Sequence, residues 1–377
     1  MHKIVYVSIP LTKPYLTNEE LEEVKKTFKS GWIAGQGPKN KELAQVASNY
    51  LNIKNVIPVN NCTAALHLAL LSLKIGRGDE VIVSDYTFPA TGHSVMYVGA
   101  TPRFADIDIR TYNVDSYKIE ELINDKTKAI IPVHTFGNPC KMDEMIKIAR
   151  KNNLFVVEDA ACAMGAKYKN KLVGTFGDIG CFSFHARKSI TTGEGGLVAV
   201  KDGKLAGTIS RLSCFGMASA WKRREAASLA IPEFIELGYN YKLSDVLAAI
   251  GVAQFRKLKD LIQKRRHLAK YYDEKLQELD FVQVPFADKN VRHTYQSYVC
   301  LLDKKVNRNK IIIELKKLGV ETQIGTYSSC IQPVYKSKDK CPVSIDVFNR
   351  AIALPMYYEL TEQEVDKVVS SLKKVAS

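Results

Sequence analysis

The sequence predicts an α/β protein, in which a mostly parallel sheet lies between helices and a smaller α+β domain follows. Its apolar, β-branched runs lack the polar alternation of a half-exposed strand, so each is expected to be a strand covered on both faces. Helical patterns separate several of these runs, and such alternation is typical of a parallel sheet. The strand runs span 55–59, 80–84, 129–133, 154–158, 179–184 and 195–200, and the helical patterns span 62–73, 88–97 and 141–152.

The length of 377 residues predicts two domains, because a single hydrophobic core rarely grows past about 250–300 residues. We place the boundary near 255, which gives a large domain over 1–255 and a small domain over 256–377. The expected elements around and beyond this boundary are a helix over 244–279, a strand over 293–301, a helix over 308–318 and a final helix opened by Thr361 and Glu364 in capping-box spacing.

Charge and composition favour either a protein that acts on an anionic small molecule or one that simply has a basic, soluble surface. The formal net charge is +14, but the basic residues are scattered and accompany no zinc-finger spacing and no RNA-binding signature. Nucleic-acid binding is therefore only a minor alternative, and we expect no nucleic-acid partner. The sequence predicts no metal-binding residues.

The cysteine pattern and the N-terminal residues predict a cytoplasmic location. The eight cysteines form no CxxC pair and lie in apolar or helical stretches, as expected of reduced thiols. The first residues, MHKIVYV, lack the long apolar stretch of a signal peptide. No apolar run is long enough to cross a membrane, so we expect no membrane association.

One lysine, Lys188, lies on a tight loop between two predicted strands. The segment SFHARK (183–188) ends one strand, and TTGEGG (191–196) leads into the next. Most lysines are surface residues, but the glycines here let the backbone approach a ligand closely. A lysine held in such a site can lose its proton and form a Schiff base. We therefore interpret Lys188 as a candidate nucleophile.

A carboxylate, Asp159, follows the apolar strand at 154–158. Pyridoxal phosphate (PLP), an aldehyde cofactor that attaches to lysine, needs a carboxylate opposite its ring nitrogen so that the ring can withdraw electrons. The alternative is a helix N-cap, which is a common role for an aspartate after a strand. Both roles remain open for Asp159 at this point.

Three further strand ends carry groups that suit the same cofactor. Residues 59–67, VNNCTAALH, join a strand to a helix whose N-terminus suits a phosphate, although ordinary capping explains it equally well. Phe88 could stack on a flat ring or lie in the core, and His134 could be a structural histidine. Since ligands bind beyond the carboxyl ends of parallel strands, the convergence of these groups with Lys188 and Asp159 favours one PLP site.

Longer segments resemble a known family. In their order along nearly the whole chain they resemble the DegT/StrS family of PLP-dependent sugar aminotransferases, and the SFHxxK…TTGEGG stretch is the most specific match. The resemblance implies the fold-type-I aminotransferase architecture. The matching segments are NCTAALHLAL (61–70), GDEVIVSDYTFPAT (78–91), VEDAACAMGA (157–166), GDIGCFSFHARKSITTGEGG (177–196), GYNYKLSD (238–245) and ETQIGTYSSCIQP (321–333).

The resemblance implies roles around the cofactor ring. Lys188 would carry PLP as a Schiff base and then shuttle the proton. Asp159 would pair with the ring nitrogen, and Phe88 would stack on the ring. Cys162 stands where many relatives have a glutamine beside the ring oxygen, so this residue departs from the family pattern.

The resemblance also implies residues around the cofactor phosphate. Thr63, Ala64 and Ser183 would bind the phosphate together with the partner subunit's Asn240, and His185 would lie close to them. This arrangement implies a homodimer in which each subunit completes the other's active site.

Two more departures concern the substrate. Phe215 and Cys330 stand where relatives often carry histidine, so both replace a polar group with a less polar one. Relatives that act as dehydratases replace the lysine with histidine, and Lys188 argues against that activity.

By resemblance, L-glutamate would donate its amino group to PLP, and the amino group would then pass to a ketone on a nucleotide-linked deoxyhexose. Amination at carbon 4 is expected because His185 is present and the turn at 193–196 reads GEGG. The branch that acts at carbon 3 tends to lack this histidine and to carry GDGG. Two alternatives remain open: transfer to a non-sugar ketone, and a binding or regulatory protein that has kept the fold.

Overall fold

The structure is a computed structural model that describes residues 8–218 and 231–376. The helices are α1 (Asn18–Ser30), α2 (Pro38–Leu51), α3 (Cys62–Ser72), α4 (Ala90–Tyr97), α5 (Ser116–Glu120), α6 (Met142–Lys151), α7 (Gly203–Leu212), α8 (Asp245–Leu276), α9 (Arg308–Lys317), α10 (Pro342–Arg350) and α11 (Glu362–Ala376). The strands are β1 (Asn55–Val59), β2 (Glu80–Ser84), β3 (Tyr86–Thr87), β4 (Thr101–Ala105), β5 (Thr127–Ile131), β6 (Phe155–Asp159), β7 (Lys167–Tyr168), β8 (Lys171–Leu172), β9 (Ile179–Ser183), β10 (Gly196–Val200), β11 (Val282–Gln283), β12 (Val291–Arg292), β13 (Tyr298–Leu302), β14 (Gln323–Ile324), β15 (Tyr327–Ser328) and β16 (Ala351–Leu354).

A seven-stranded sheet built from strands between residues 55 and 200 forms the first core of the structure, in the order β1-β10-β9-β6-β5-β2-β4. The pairs from β9 to β4 are parallel, whereas β10 runs antiparallel to both of its neighbours. The predicted α/β fold with a mostly parallel sheet is therefore confirmed. Strand β4 was not predicted, because Pro102 and Arg103 interrupt its apolar run and its position at the sheet edge leaves it partly exposed.

The strands and helices predicted between residues 55 and 200 agree with the structure within two residues at each end. Helix α3 shows why long apolar runs in the sequence predicted the buried elements. Nearly all of its residues are buried, and they pack in one hydrophobic cluster with strands of the central sheet, so the helix is apolar on every side.

A second sheet, β11-β13-β16-β14, is antiparallel and forms the C-terminal α+β region. Helix α8 joins the two regions. Its residues Val252–Leu261 contribute to the core that lies against β9 and β10, and its residues Leu268–Leu276 contribute to the core around β13. The boundary at 255 thus falls inside a continuous helix, and the division into two domains stays a prediction.

Capping boxes begin helices α1 and α11, and the one that begins α11 was predicted from the sequence. Thr17 and Glu20 form the capping box of α1. The Glu20 carboxylate accepts the Thr17 backbone N–H, and the Thr17 hydroxyl accepts the Glu20 backbone N–H. Thr361 and Glu364 form the same reciprocal pair at the start of α11. The Thr361 N–H donates to Glu364 Oε2 at 2.9 Å, and the Glu364 N–H donates to Thr361 Oγ1 at 3.2 Å.

The eight cysteines all lie within the described ranges, and none of them forms a disulfide. Every helix within residues 8–218 and 231–376 is too short or too polar to cross a lipid bilayer.

Candidate active site

The carboxyl ends of the central parallel strands define the candidate active site. Strands β5, β6 and β9 are neighbours, so the residues at or just past their ends lie along one edge of the sheet. These residues are His134, Asp159 and Ser183. Ligands of open α/β sheets bind at this kind of edge.

Asp159, the last residue of β6, is 5% exposed. One carboxylate oxygen accepts a hydrogen bond from Thr91 Oγ1 at 2.8 Å, and the other accepts from the Ala161 backbone N–H at 3.1 Å. Residues 160–166 form turns and no helix, so the helix N-cap alternative for Asp159 is wrong. Each oxygen still has a lone pair, and the carboxylate can accept a further bond from a protonated ring nitrogen.

A buried pair, His134 and Glu158, holds this strand end in place. His134 Nε2 lies 3.0 Å from Glu158 Oε2, and both side chains are fully buried. Burial alone raises the pKa of Glu158, but His134 and backbone N–H groups of 174–177 hold it below its ordinary value. The His134 backbone N–H also donates to the Asp159 carbonyl at 3.0 Å. His134 is therefore a structural histidine, one of the two roles considered for it.

Lys188 lies on the predicted loop, where its side chain meets acidic groups from other segments. Its Nζ donates to Cys162 Sγ at 3.2 Å. Burial alone lowers the pKa of Lys188, but Cys162, Cys62 and Asp159 together raise it above its ordinary value. The sequence did not reveal that Cys162 lies beside the amine, and the role of Lys188 as the Schiff-base residue stays a prediction.

The start of α3 combines capping with a position suited to phosphate. Asn61 is the N-cap, and its side chain accepts from the Ala64 N–H at 2.8 Å. Thr63 is half-buried one residue before it. The Ser183 hydroxyl accepts from the His185 N–H at 3.3 Å. Thr63, Ala64 and Ser183 thus lie at the ends of β1 and β9, and their role as phosphate ligands stays a prediction.

Phe88 is not a core residue, since 65% of it is exposed. It lies just past β3, and its ring packs edge-to-face on Tyr327 with the ring centres 6.3 Å apart. An exposed aromatic face beside the strand ends is available to stack on a flat ring.

His185 and Asn240 lie at the edge of this arrangement. His185 Nε2 is 3.7 Å from Glu194 Oε1 in the GEGG turn, and its side chain is 44% exposed. Asn240 is exposed, and its side-chain oxygen accepts from Lys242 Nζ at 2.5 Å. The backbone of Lys242 pairs with Val59 at the end of β1, so the Asn240 loop is anchored beside the start of α3.

Phe215 and Cys330, the two residues that depart from the family pattern where the substrate is expected, lie in different surroundings. Phe215 adopts a left-handed backbone with φ of 59° and is 43% exposed, and Lys242 Nζ lies 4.1 Å above its ring. Cys330 is 9% exposed, and its backbone N–H donates to the carboxylate of Asp85 at 2.6 Å. Cys330 thus belongs to a buried polar cluster, whereas Phe215 lies at the surface.

Sequence reasoning missed Thr91, Cys62 and Glu158 as residues that shape the site. Thr91 bonds Asp159 across 68 positions of the chain, and Cys62 acts on Lys188 across 126 positions. All three lie inside the segments that carry the family resemblance, and a polar residue in an otherwise apolar segment was the available signal.

The residues at this edge fit PLP. Lys188 supplies the amine, Asp159 supplies a buried carboxylate whose charge reaches that amine, and α3 supplies a helix N-terminus.

Comparison with known proteins agrees with this fit. The chain is 41% identical to an uncharacterized protein of Methanocaldococcus jannaschii, with 98% of both chains covered. It is 37% identical to GDP-perosamine synthase of Escherichia coli O157:H7, over 98% of this chain and 99% of that protein. Spr1654 of Streptococcus pneumoniae, assigned as a sugar aminotransferase and solved in its PMP form, superposes with a TM-score of 0.92 at 29% identity, covering 98% of this chain and 99% of that one.

The PLP form of Spr1654 is equally similar in fold, with a TM-score of 0.91 at 30% identity, covering 98% of this chain and 99% of that one. Residues 14–373 match the family model of the DegT/DnrJ/EryC1/StrS aminotransferases. The chain therefore belongs to the DegT/DnrJ/EryC1/StrS aminotransferase family and is a PLP-dependent sugar transaminase.

Proposed function

We propose that this enzyme transfers an amino group from L-glutamate to the keto group at carbon 4 of a nucleotide-linked deoxyhexose. The similarity to GDP-perosamine synthase over nearly the full length of both chains carries this proposal, because the name of that relative states a product linked to a nucleotide. The net charge of +14 supports an anionic substrate of this kind.

PLP, when bound, supplies an electron sink for the carbon that gains or loses the amino group. In our proposal Lys188 Nζ holds the cofactor and moves the proton at that carbon. Asp159 would accept a hydrogen bond from the ring nitrogen, and the buried His134–Glu158 pair fixes the strand end from which Asp159 projects. Phe88 would cover one face of the ring and exclude water from it.

Thr63, Ala64 and Ser183 bind the cofactor phosphate in this proposal, with the partner subunit's Asn240. The N-terminal end of α3 supports the assignment, since its backbone N–H groups and dipole favour an anion. The Ala64 N–H would exchange the Asn61 oxygen for a phosphate oxygen, which is a stronger acceptor.

Amination at carbon 4 is supported by His185. The structure gives this histidine a neighbouring carboxylate, Glu194, from the GEGG turn, and both side chains are partly exposed toward solvent. We propose that His185 lies at the phosphate side of the site and helps to distinguish the position of the keto group.

Exposed apolar side chains support a homodimer. Ile231, Phe234, Ile235 and Leu237 precede the Asn240 loop, and each is more than half exposed. Such a patch is costly in water and suits a self-complementary twofold interface. In our proposal this segment packs on the second subunit and carries Asn240 into its active site.

A substrate panel tests the proposed reaction. The purified enzyme is incubated with L-glutamate and with nucleotide-linked sugars that carry the ketone at carbon 3 or at carbon 4, and the products are analysed by mass spectrometry and NMR. We expect nitrogen on carbon 4. Nitrogen on carbon 3 would refute the position, and amination of a simple ketone with no reaction of any sugar would favour the alternative of a non-sugar substrate.

Mixed dimers test the shared site. Lys188→Ala and Asn240→Ala variants, each weak alone, are re-associated so that one of the two sites in a mixed dimer carries both changes and the other carries none. Recovery of activity is expected. No recovery from dimers that are verified as mixed would mean that each subunit builds its own site.

A further inference from the structure

Three potential metal ligands form a compact cluster that the proposed reaction does not use. Asp85 follows β2, while Cys330 and Cys341 come from the C-terminal region, and we call these three residues the two-thiol cluster. A carboxylate oxygen of Asp85 and the two sulfur atoms all lie within 4.8 Å of one another. Asp85 and Cys341 are fully buried, and Cys330 is 9% exposed.

We propose that the two-thiol cluster binds one Zn²⁺ ion through Cys330 Sγ, Cys341 Sγ and a carboxylate oxygen of Asp85. Thiolates and carboxylates are common zinc ligands, and three protein ligands leave a fourth tetrahedral position for water. With a zinc–sulfur distance of about 2.3 Å, two thiolates on a tetrahedral ion lie about 3.8 Å apart. The ligand atoms of the cluster already lie within 4.8 Å, so small side-chain rotations bring them onto one ion.

The surroundings of Asp85 resemble those of a metal-binding carboxylate. Ser328 and Ser344 donate their hydroxyls to Oδ2 at 2.6 and 2.5 Å, and the Cys330 backbone N–H donates to Oδ1 at 2.6 Å. Carboxylates that bind metals are themselves held by such hydrogen bonds. The three donors fix the orientation of Asp85 toward the thiols.

The charge of Asp85 also favours a cation. Within residues 8–218 and 231–376 its carboxylate is bonded by neutral donors and forms no ion pair. The neighbouring Asp106 differs, because it accepts from the Val343 and Ser344 N–H groups at the start of α10 and is stabilised by that helix end. Buried charges are usually paired or bound to a metal, and a divalent ion would compensate Asp85.

Binding requires no redox partner. Each thiol loses its proton to solvent as its sulfur bonds the ion, so two protons are released for each zinc bound. Cys330, which is 9% exposed, is the most exposed of the three ligands. Since the ligands come from the end of β2 and from the C-terminal region, the ion would link these two parts of the chain and stabilise their contact.

Zinc binding to the holoenzyme tests the proposal. Reduced, chelator-treated enzyme with PLP bound is titrated anaerobically with Zn²⁺ alone in a calorimeter, and its metal content is measured after desalting. We expect one zinc per chain, two protons released, and a raised melting temperature. Cys330→Ser and Cys341→Ser should weaken binding by more than about 100-fold, and Ser344→Ala by about 10- to 100-fold.

Cys300→Ser is the matched control, because Cys300 is also buried but lies within β13, and it should bind zinc like the wild type. Absence of zinc from the wild type overturns the proposal, as does tight binding that survives in Cys341→Ser. Transaminase activity is not the readout, so a failure here leaves the proposed function standing.

Discussion

Replacing Asp159 with asparagine separates a catalytic role from a structural one. The amide has the same shape, and its oxygen can keep the hydrogen bond from the Ala161 N–H. Its nitrogen cannot accept the bond from Thr91. The Thr91 hydroxyl has other acceptors, however, since Thr87 Oγ1 lies at 3.0 Å and the Phe88 carbonyl at 3.3 Å.

These contacts determine how much stability and how much activity Asp159→Asn is expected to lose. Because Thr91 keeps a partner, the free energy of unfolding should fall by no more than about 1 kcal/mol. The reaction loses a charge-assisted hydrogen bond worth about 1.5–3 kcal/mol, and it also loses the charge that keeps the ring nitrogen protonated. We expect a total loss of at least about 3 kcal/mol of transition-state stabilisation, which is a rate reduction of at least about 100-fold.

The assay compares kcat/KM and urea unfolding for the wild type, Asp159→Asn and the control Asp178→Asn. Asp178 is suited as a control because its carboxylate also accepts a backbone N–H, from Val156 at 2.8 Å, but at the start of β9 rather than at the site. The control should keep normal turnover. Near-normal turnover of Asp159→Asn together with a clear loss of stability would refute the catalytic role.

Three further changes test the surroundings of the site. His134→Ala removes the side-chain donor from the buried Glu158 carboxylate and should lower the free energy of unfolding by about 3 kcal/mol in urea titrations; a loss below 1 kcal/mol would contradict the buried pair. Burial, with a contribution from Arg266, lowers the pKa of His293 from 6.5 to about 3, so only the unfolded chain binds this proton between those values. Stability should therefore fall as pH falls below 6.5, by about 1.4 kcal/mol per unit from this group, and His293→Gln should remove that part of the slope. Cys162→Ala should lower the pKa of Lys188 and speed PLP attachment to the cofactor-free enzyme at neutral pH, followed by absorbance, and an unchanged rate would contradict the role of the thiol.

The sequence predicted the central sheet because buried parallel strands and α3 leave long apolar runs. It failed at β4, where Arg103 bonds Glu80 and Asp339 at the sheet edge and gives the strand a polar character. A strand stabilised by ion pairs with distant segments shows no apolar run, so its own residues do not reveal it.

The positions of Lys188 and Asp159 were predictable because they depend on where strands end, which the local sequence indicates. Asp159 ends β6 and Lys188 lies past the end of β9, and parallel strands bring their ends to one edge. The contacts between segments were not predictable. The position of Cys162 beside Lys188 depends on how two loops pack, and so the direction of the Lys188 pKa could not be derived from sequence.

The same limit applies to Asp85. Its partners Ser328 and Ser344 lie more than 240 positions away in the chain, so neither its burial nor the two-thiol cluster could be derived from the residues around it.

Attachment of PLP to Lys188 is the central claim, and peptide mapping tests it most directly. The yellow holoenzyme is treated with borohydride, digested and analysed by mass spectrometry, with Lys188→Ala as the matched variant. We predict that the pyridoxyl group lies on the peptide that contains Lys188 and that the variant binds PLP without a covalent adduct. A pyridoxyl group on any other lysine of the wild type would contradict the account.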